Sequence, residues 1–201
     1  MKEPLSHDFY FGDVEDVARA MLGKQLVRVT ANGMTAGRIV EVEAYLSRQD
    51  PANHGHRGQT RRNATMFGTG GHAYVYSIHA RYCLNAVTEP EGVPCAVLIR
   101  AVEPLEGLDL MRERRRRTNV LDLARGPARL CEAFGIDRSL DGWDLTRGEE
   151  LWLADEDGTT VNAANIAVAQ RVGVSAGADL PLRFFMADSR FVSKRPRQPK
   201  S

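Results

Sequence analysis

Apolar residues recur at helical spacing at Val14, Val17, Ala18, Met21 and Leu22, predicting a helix over Val14–Leu22. Asp13 is placed to cap it and Gly23 to close it. A strand is expected over Gln25–Thr30. The strong turn signal Asn32-Gly33 follows, and a long return strand runs from Thr35 to Leu46. There the periodicity stops. Ser47 to Gly71 is polar and crowded with His54, His56, Arg57, Thr60, Arg61, Arg62 and Asn63. A loop this long inside a compact domain is usually functional or disordered. Strand patterns return over Ala73–Ile78 and Ala96–Val102, with an apolar segment at Tyr82–Val87 between them. Pro104 is expected in the first turn of a helix running from Leu105 to Arg117, whose early acids and late arginines match the helix dipole. Pro127–Phe134, between Gly126 and Gly135, reads as a short helix. Arg138–Asp157 reads as a polar segment anchored by Trp143 and Trp152, and two last strands are expected within Ala163–Val174 and Leu182–Phe191. No internal repeat or low-complexity linker interrupts the order. The expectation is one α+β domain over 1–193, followed by a basic, mobile tail over 194–201.

Composition agrees with one globular domain. The chain has 201 residues, 43% hydrophobic and 26% charged. At roughly 150 residues per domain, one is the default. Such a domain buries roughly 70% of its unfolded surface and needs no disulfide or metal staple. Lys+Arg number 27 and Asp+Glu 26, so no global basic charge announces a nucleic-acid binder. The arginines cluster nonetheless, at Arg57, Arg61 and Arg62, at Arg112 and Arg114–Arg117, and again in the tail, which implies a segregated basic face. The three cysteines, Cys83, Cys95 and Cys131, show no CxxC spacing and read as buried free thiols of a reducing compartment. No apolar run approaches the ~18 residues of a membrane span. Met1–Gly12 has no signal-peptide core, so the chain is read as cytoplasmic, without a membrane partner. No dinucleotide fingerprint, Walker loop or serine-hydrolase elbow occurs.

Three groups of residues carry candidate chemistry. Alternation in Ile39–Tyr45 puts Ile39, Glu41, Glu43 and Tyr45 on one strand face and Val40, Val42 and Ala44 on the other. Glu41 and Glu43 are then ~6–7 Å apart. Like charges that close raise at least one pKa if the face is dry. A solvated outer sheet face is the competing reading, opposed by Tyr45 and by the polar loop that starts directly afterwards. Tyr74 and Tyr76 also share one face, and with Tyr45 and His54 form a stacking box for a flat ligand, or else a set of core aromatics. His54 and His56 lack a third ligand at metal spacing, so no metal is expected.

The ordered blocks carry a resemblance. Gly37-Arg38-Ile39-Val40-Glu41-Val42-Glu43-Ala44-Tyr45, Asp50-Pro51-Ala52-Asn53-His54, Thr60-Arg61-Arg62-Asn63, Met66-Phe67, Tyr74-Val75-Tyr76 and Cys83-Leu84-Asn85 are followed by Val97 through Gly107, Gly126 through Cys131, and Arg171-Val172-Gly173-Val174. Together they resemble the alkyladenine (3-methyladenine) DNA glycosylase family over nearly the whole chain. The resemblance implies a compact α+β domain on a curved, open-barrel-like antiparallel sheet with surrounding helices. It implies a monomeric, monofunctional, cofactor-free hydrolase that flips alkylated or deaminated purines out of duplex DNA. Glu43 would be the general base that activates water, and Arg100, with backbone near Val172–Val174, would hold that water. Tyr45, His54 and Tyr76 would sandwich the base, with the His54 amide reading its edge and Asn85 limiting bulk at the pocket wall. Glu41 receives no catalytic part. Thr60 and Arg62 would lie toward DNA phosphate. A wedge residue is implied three positions after Tyr76. His79 holds that count, in a stretch one residue shorter than the family pattern, which leaves Ile78 and Arg81 as alternatives.

Other function classes remain in view. A non-catalytic nucleic-acid-binding module would use the aromatic and basic surface without Glu43. A helix–hairpin–helix glycosylase would need a Leu-Pro-Gly-Val-Gly-like run, which is missing. A bifunctional lyase needs an amine nucleophile, and lysines are scarce in the middle of the chain.

Overall fold

A computed structural model describes residues 2–155 and 160–194. Asp13 accepts hydrogen bonds from the Glu15 and Asp16 amides and starts helix α1, Val14–Met21, whose Val14, Val17, Ala18 and Met21 are buried. β1 (Gln25–Thr30) turns through Asn32 into β2 (Gly33–Tyr45), and the two pair antiparallel from Thr30↔Gly33 to Gln25↔Arg38. β3 (Ala73–Ile78), β4 (Arg81–Thr88) and β5 (Cys95–Glu106) form an antiparallel meander that joins β2 through β5. α2 (Leu108–Arg115) and α3 (Pro127–Phe134) follow, then β6 (Leu151–Ala154), β7 (Ile166–Ala169) and β8 (Arg183–Met186). The strand order is β3-β4-β5-β2-β1-β6, and β8 pairs with both β2 and β7. This curled antiparallel sheet with its helices is the expected α+β fold, in one compact domain.

β2 positions the site because it changes partner. Its first half pairs with β1 and its second half, Glu41–Glu43, with β8, while β5 runs along its other edge. At the fork the β2–β5 register shifts between Ile39 and Glu41 and again before Val42. Such bulges re-aim side chains. Strict alternation therefore fails here. Ile39 packs with Val42 and Ala44 in the main core, opposite to the face predicted for it. Val40 instead joins Ala101 and Phe191 in a separate small cluster.

The β3–β4–β5 sheet is buried on both faces. Val75, Leu84, Val97 and Ile99 enter the main core under α1 and α3. Tyr74, Tyr76, Cys83, Val87, Ala96 and Leu98 form a second cluster on the other face, with Met66, Tyr45 and Phe67. All three cysteines are buried and free.

Three expectations are corrected. Pro104 lies inside β5, opposite Gly37 and next to a register shift, and does not start a helix. A proline, which lacks an N–H, is tolerated in a sheet at such an irregularity. α2 begins only at Leu108, after Gly107, whose φ is +71° and where a Cβ would come 2.3 Å from the Met34 carbonyl oxygen. The segment read as polar over Arg138–Asp157 contains the fully buried strand Leu151–Ala154, paired with β1. The last two strands fall inside their expected ranges. Lys194 is described, and the tail beyond it lies outside the described residues. Among the described residues no helix is long and apolar enough to cross a membrane.

Candidate active site

The second half of β2 delivers two carboxylates into the interior. Glu41 and Glu43 are both 0% exposed, which excludes the solvated-face reading. Each is fully engaged. Glu43 Oε1 accepts the Val172 N–H at 2.7 Å, and Oε2 accepts the Tyr45 hydroxyl at 2.9 Å. Arg100, from β5, places Nη1 3.2 Å from Glu43 Oε2 and donates Nε to Glu41 Oε1 at 3.1 Å. Burial pushes Glu43 above its ordinary 4.5, against the pull of Arg100, Val172 and Tyr45. Burial also opposes the charge on Arg100, but Glu43 and Glu41 outweigh it and hold the guanidinium above its usual value. A carboxylate with its proton affinity raised can accept a proton more readily than an ordinary one.

Beside this pair lies a cavity of about 460 Å³. Tyr45, His54, Tyr74, Tyr76, Asn85, Leu98, Arg100 and Val172–Ala176 contribute to its lining. The structure thus gathers five of the singled-out side chains, Tyr45, His54, Tyr76, Asn85 and Arg100, around one cavity, with Glu43 beneath its Tyr45 and Val172 wall. The rings of His54 and Tyr76 meet edge-on, with centroids 4.6 Å apart. Tyr74 and Tyr76 lie 5.5 Å apart. His54 Nδ1 shares a 2.9 Å hydrogen bond with the Tyr74 hydroxyl. Burial and then Arg62 lower the His54 pKa, so its ring is neutral at pH 7. Asn85 donates Nδ2 to the Tyr74 carbonyl at 3.0 Å.

The polar loop is held by two asparagines. Asn53 Nδ2 donates to the carbonyls of Tyr45, Leu46 and Pro94, and Asn63 Nδ2 to those of His54 and Gly58. Thr60 turns both its N–H and its hydroxyl toward Asn63 Oδ1, and exposed Arg62 donates to the Ser77 carbonyl at the end of β3. His56 bonds the Arg48 carbonyl. His79 and Ala80 make the two-residue turn between Ile78 and Arg81, with φ of 48° and 59°. Ile78, 47% exposed, reaches the cavity lining. Of the helical arginines, Arg114 bonds the Ala133 carbonyl and Thr30, and Arg115 bonds Glu132 and the Leu123 carbonyl, so both brace α2 against its neighbours.

Sequence reasoning missed three parts of the site. Arg171 and Asp50, both 0% exposed at their side chains, form a double ion pair at 2.5 and 2.8 Å, and the Arg171 guanidinium lies 4.6 Å from the Tyr45 ring centroid. Arg183, 4% exposed at its side chain, donates to Glu41 Oε1 at 3.0 Å. Asp141 accepts from the Val75 amide and the Thr65 hydroxyl. One signal was available for Arg183: an arginine set in the apolar run Leu182-Arg183-Phe184-Phe185.

The family described as Methylpurine-DNA glycosylase (MPG) matches residues 8–190. Three relatives each carry the name "Putative 3-methyladenine DNA glycosylase". That of Methanoculleus marisnigri is 48% identical over 188 residues, covering 93% of this chain and 97% of the relative. That of Carboxydothermus hydrogenoformans is 43% identical over 192 residues, covering 95% and 99%. That of Burkholderia lata is 46% identical over 191 residues, covering 94% and 90%. Match and relatives extend across both the carboxylate fork of β2 and the Arg171–Val174 loop, so the chain belongs to the methylpurine-DNA glycosylase family, hydrolases of N-glycosyl bonds.

Proposed function

We propose that this chain flips 3-methyladenine-type lesions, and with them hypoxanthine and ethenoadenine, out of duplex DNA and hydrolyses the N-glycosidic bond to start base excision repair. The observation that supports this most is the fully buried Glu43 carboxylate. It is fixed by the Val172 N–H, the Tyr45 hydroxyl and Arg100, and these three residues line an aromatic cavity.

The mechanism follows from that placement. A stacked base shields its C1′, so the nucleotide must first leave the helix, at a cost of a few kcal/mol. In the cavity Tyr45 forms one wall. His54 and Tyr76 touch each other edge-on, so they act as one opposing wall and do not admit a base between them. As the bond to the sugar breaks, positive charge develops on C1′, and the Glu43 carboxylate stabilises it. Glu43 then takes a proton from the attacking water, which Arg100 and the Val172–Val174 backbone help to place. No step calls for a metal or cofactor. An alkylated cationic purine leaves without protonation, and its charge is attracted to the aromatic faces. At the hairpin tip His79 fills the gap left in the duplex, and Arg62 faces phosphate.

The test is a single-turnover panel of duplexes carrying 3-methyladenine, 7-methylguanine, hypoxanthine or ethenoadenine. Release of free base from the 3-methyladenine, hypoxanthine and ethenoadenine duplexes is the expected result. Tight binding to all four with no release would leave only the binding-module reading.

A further inference from the structure

Glu41 is bonded to Arg100, a residue of the cavity lining, and nothing in the mechanism uses it. It is 0% exposed and carries three donors: Arg100 Nε at 3.1 Å, Arg183 Nη1 at 3.0 Å and the Ser193 N–H at 2.6 Å. Arg100 is therefore divided, with Nε on Glu41 and Nη1 on Glu43, while Nη2 reaches the Ser193 hydroxyl at 3.5 Å. Arg183 is the second cation on Glu41. It is anchored from β8 by the Gln170 carbonyl and by the Lys194 carbonyl at 2.7 Å. Two buried acids and two buried bases thus share one cluster, in which either acid can take more of Arg100 if the other takes less. A buried ion left without its partner is costly, so the cluster redistributes when one member changes.

We propose that Glu41 and Arg183 are positioning residues that apportion the Arg100 guanidinium between the two carboxylates and so set how firmly it holds Glu43. The inference rests on the reading of Glu43 as the general base.

The groups that face Glu43 are Arg100 from β5, Tyr45 and Glu41 from β2, Cys83 from β4, and Arg171 and the Val172 N–H from the loop before β8. Changing Glu41 or Arg183 leaves Tyr45, Cys83, Arg171 and the Val172 N–H beside Glu43. Without the Glu41 charge, Arg100 turns wholly to Glu43 and a like charge disappears. Both effects favour the ionised base. Without Arg183, Glu41 draws harder on Arg100, and ionised Glu43 is held less well. The two variants therefore act with opposite sign, which a general loss of packing cannot imitate.

The experiment is the pH profile of single-turnover release of 3-methyladenine from methylated duplex DNA by the full chain. A cationic lesion needs no acid, so the acid limb reports the base. In Glu41→Gln the limb should move to lower pH, by about one unit, as for loss of a close like charge. In Arg183→Gln it should move to higher pH. Glu41→Asp, which keeps the charge, should keep the wild-type limb. Either shift alone decides by its sign if one variant fails to fold. Limbs that coincide with wild type, or that move the same way, overturn the proposal while an inactive Glu43→Gln leaves the catalytic reading standing. An active Glu43→Gln overturns the catalytic reading itself.

Discussion

The Val172 N–H donates to Glu43 Oε1 at 2.7 Å across 129 residues of chain. Together with the Tyr45 hydroxyl at 2.9 Å on the other oxygen, this contact fixes the plane of the carboxylate before any DNA arrives. Preorganised charge of this kind needs no rearrangement as the transition state forms.

Burial holds Glu43 above 4.5, so the fold favours its protonated form. That stabilising contribution is complete below the unfolded pKa and is lost as pH rises through the folded one. Wild type should therefore lose thermal stability relative to Glu43→Gln as pH rises from 4.5, while its excision rate climbs over the same window. Melting temperatures of the two proteins across pH check this. A difference that is flat, or that grows in favour of wild type, contradicts it.

The side chains of Asp50 and Arg171 are each 0% exposed and paired twice. Asp50→Ala strands the guanidinium and also frees the Leu46 and Ala52 amides that Asp50 caps. The expected loss in denaturant unfolding is about 3–5 kcal/mol. A loss below about 1 kcal/mol, typical of a surface pair, would show that the pair does not hold the loop to β2.

These two residues also show where the sequence stops being legible. Local pattern sufficed for β1, β3 and α3, because cap, turn and alternation are short-range properties written in adjacent residues. The motif blocks pointed to Glu43, Tyr45, His54, Tyr76, Asn85 and Arg100, which converge on one site. Asp50 meets Arg171 from 121 positions away, and Arg183 meets Glu41 from 142, distances over which periodicity carries no information. Pro104 misled because a proline after an apolar run reads as a helix start, whereas the Gly37 irregularity that admits it lies on another strand. Ile39 faced the wrong way because a bulge shifts alternation by one residue and leaves no mark in composition.

Tyr76 is 8% exposed, and its ring meets both His54 and Tyr74. Tyr76→Ala should weaken binding to damaged duplex by ~1–3 kcal/mol, the worth of one base–aromatic stack. Undamaged duplex should be affected less. Equal losses in a titration of both duplexes would make Tyr76 a packing residue only.

The turn at His79-Ala80 carries two non-glycine residues with positive φ. Left-handed backbone costs such residues roughly 1–2 kcal/mol each. His79→Asn with Ala80→Gly should therefore raise the unfolding free energy by about 1 kcal/mol. The same double variant removes the proposed wedge, so quenching of a 2-aminopurine probe opposite the lesion should fall. If quenching survives there and is lost in Ile78→Ala, the wedge is Ile78, the half-exposed residue that already lines the cavity.

The Glu43 carboxylate is proposed to perform the chemistry, and single-turnover excision of 3-methyladenine by Glu43→Gln decides whether it does. The amide keeps the shape and can still accept the Val172 N–H, but it cannot take a proton from water. Excision should fall by about 10²–10⁴, as for loss of a general base, with affinity for the damaged duplex retained. Near-normal excision by Glu43→Gln would overturn that role.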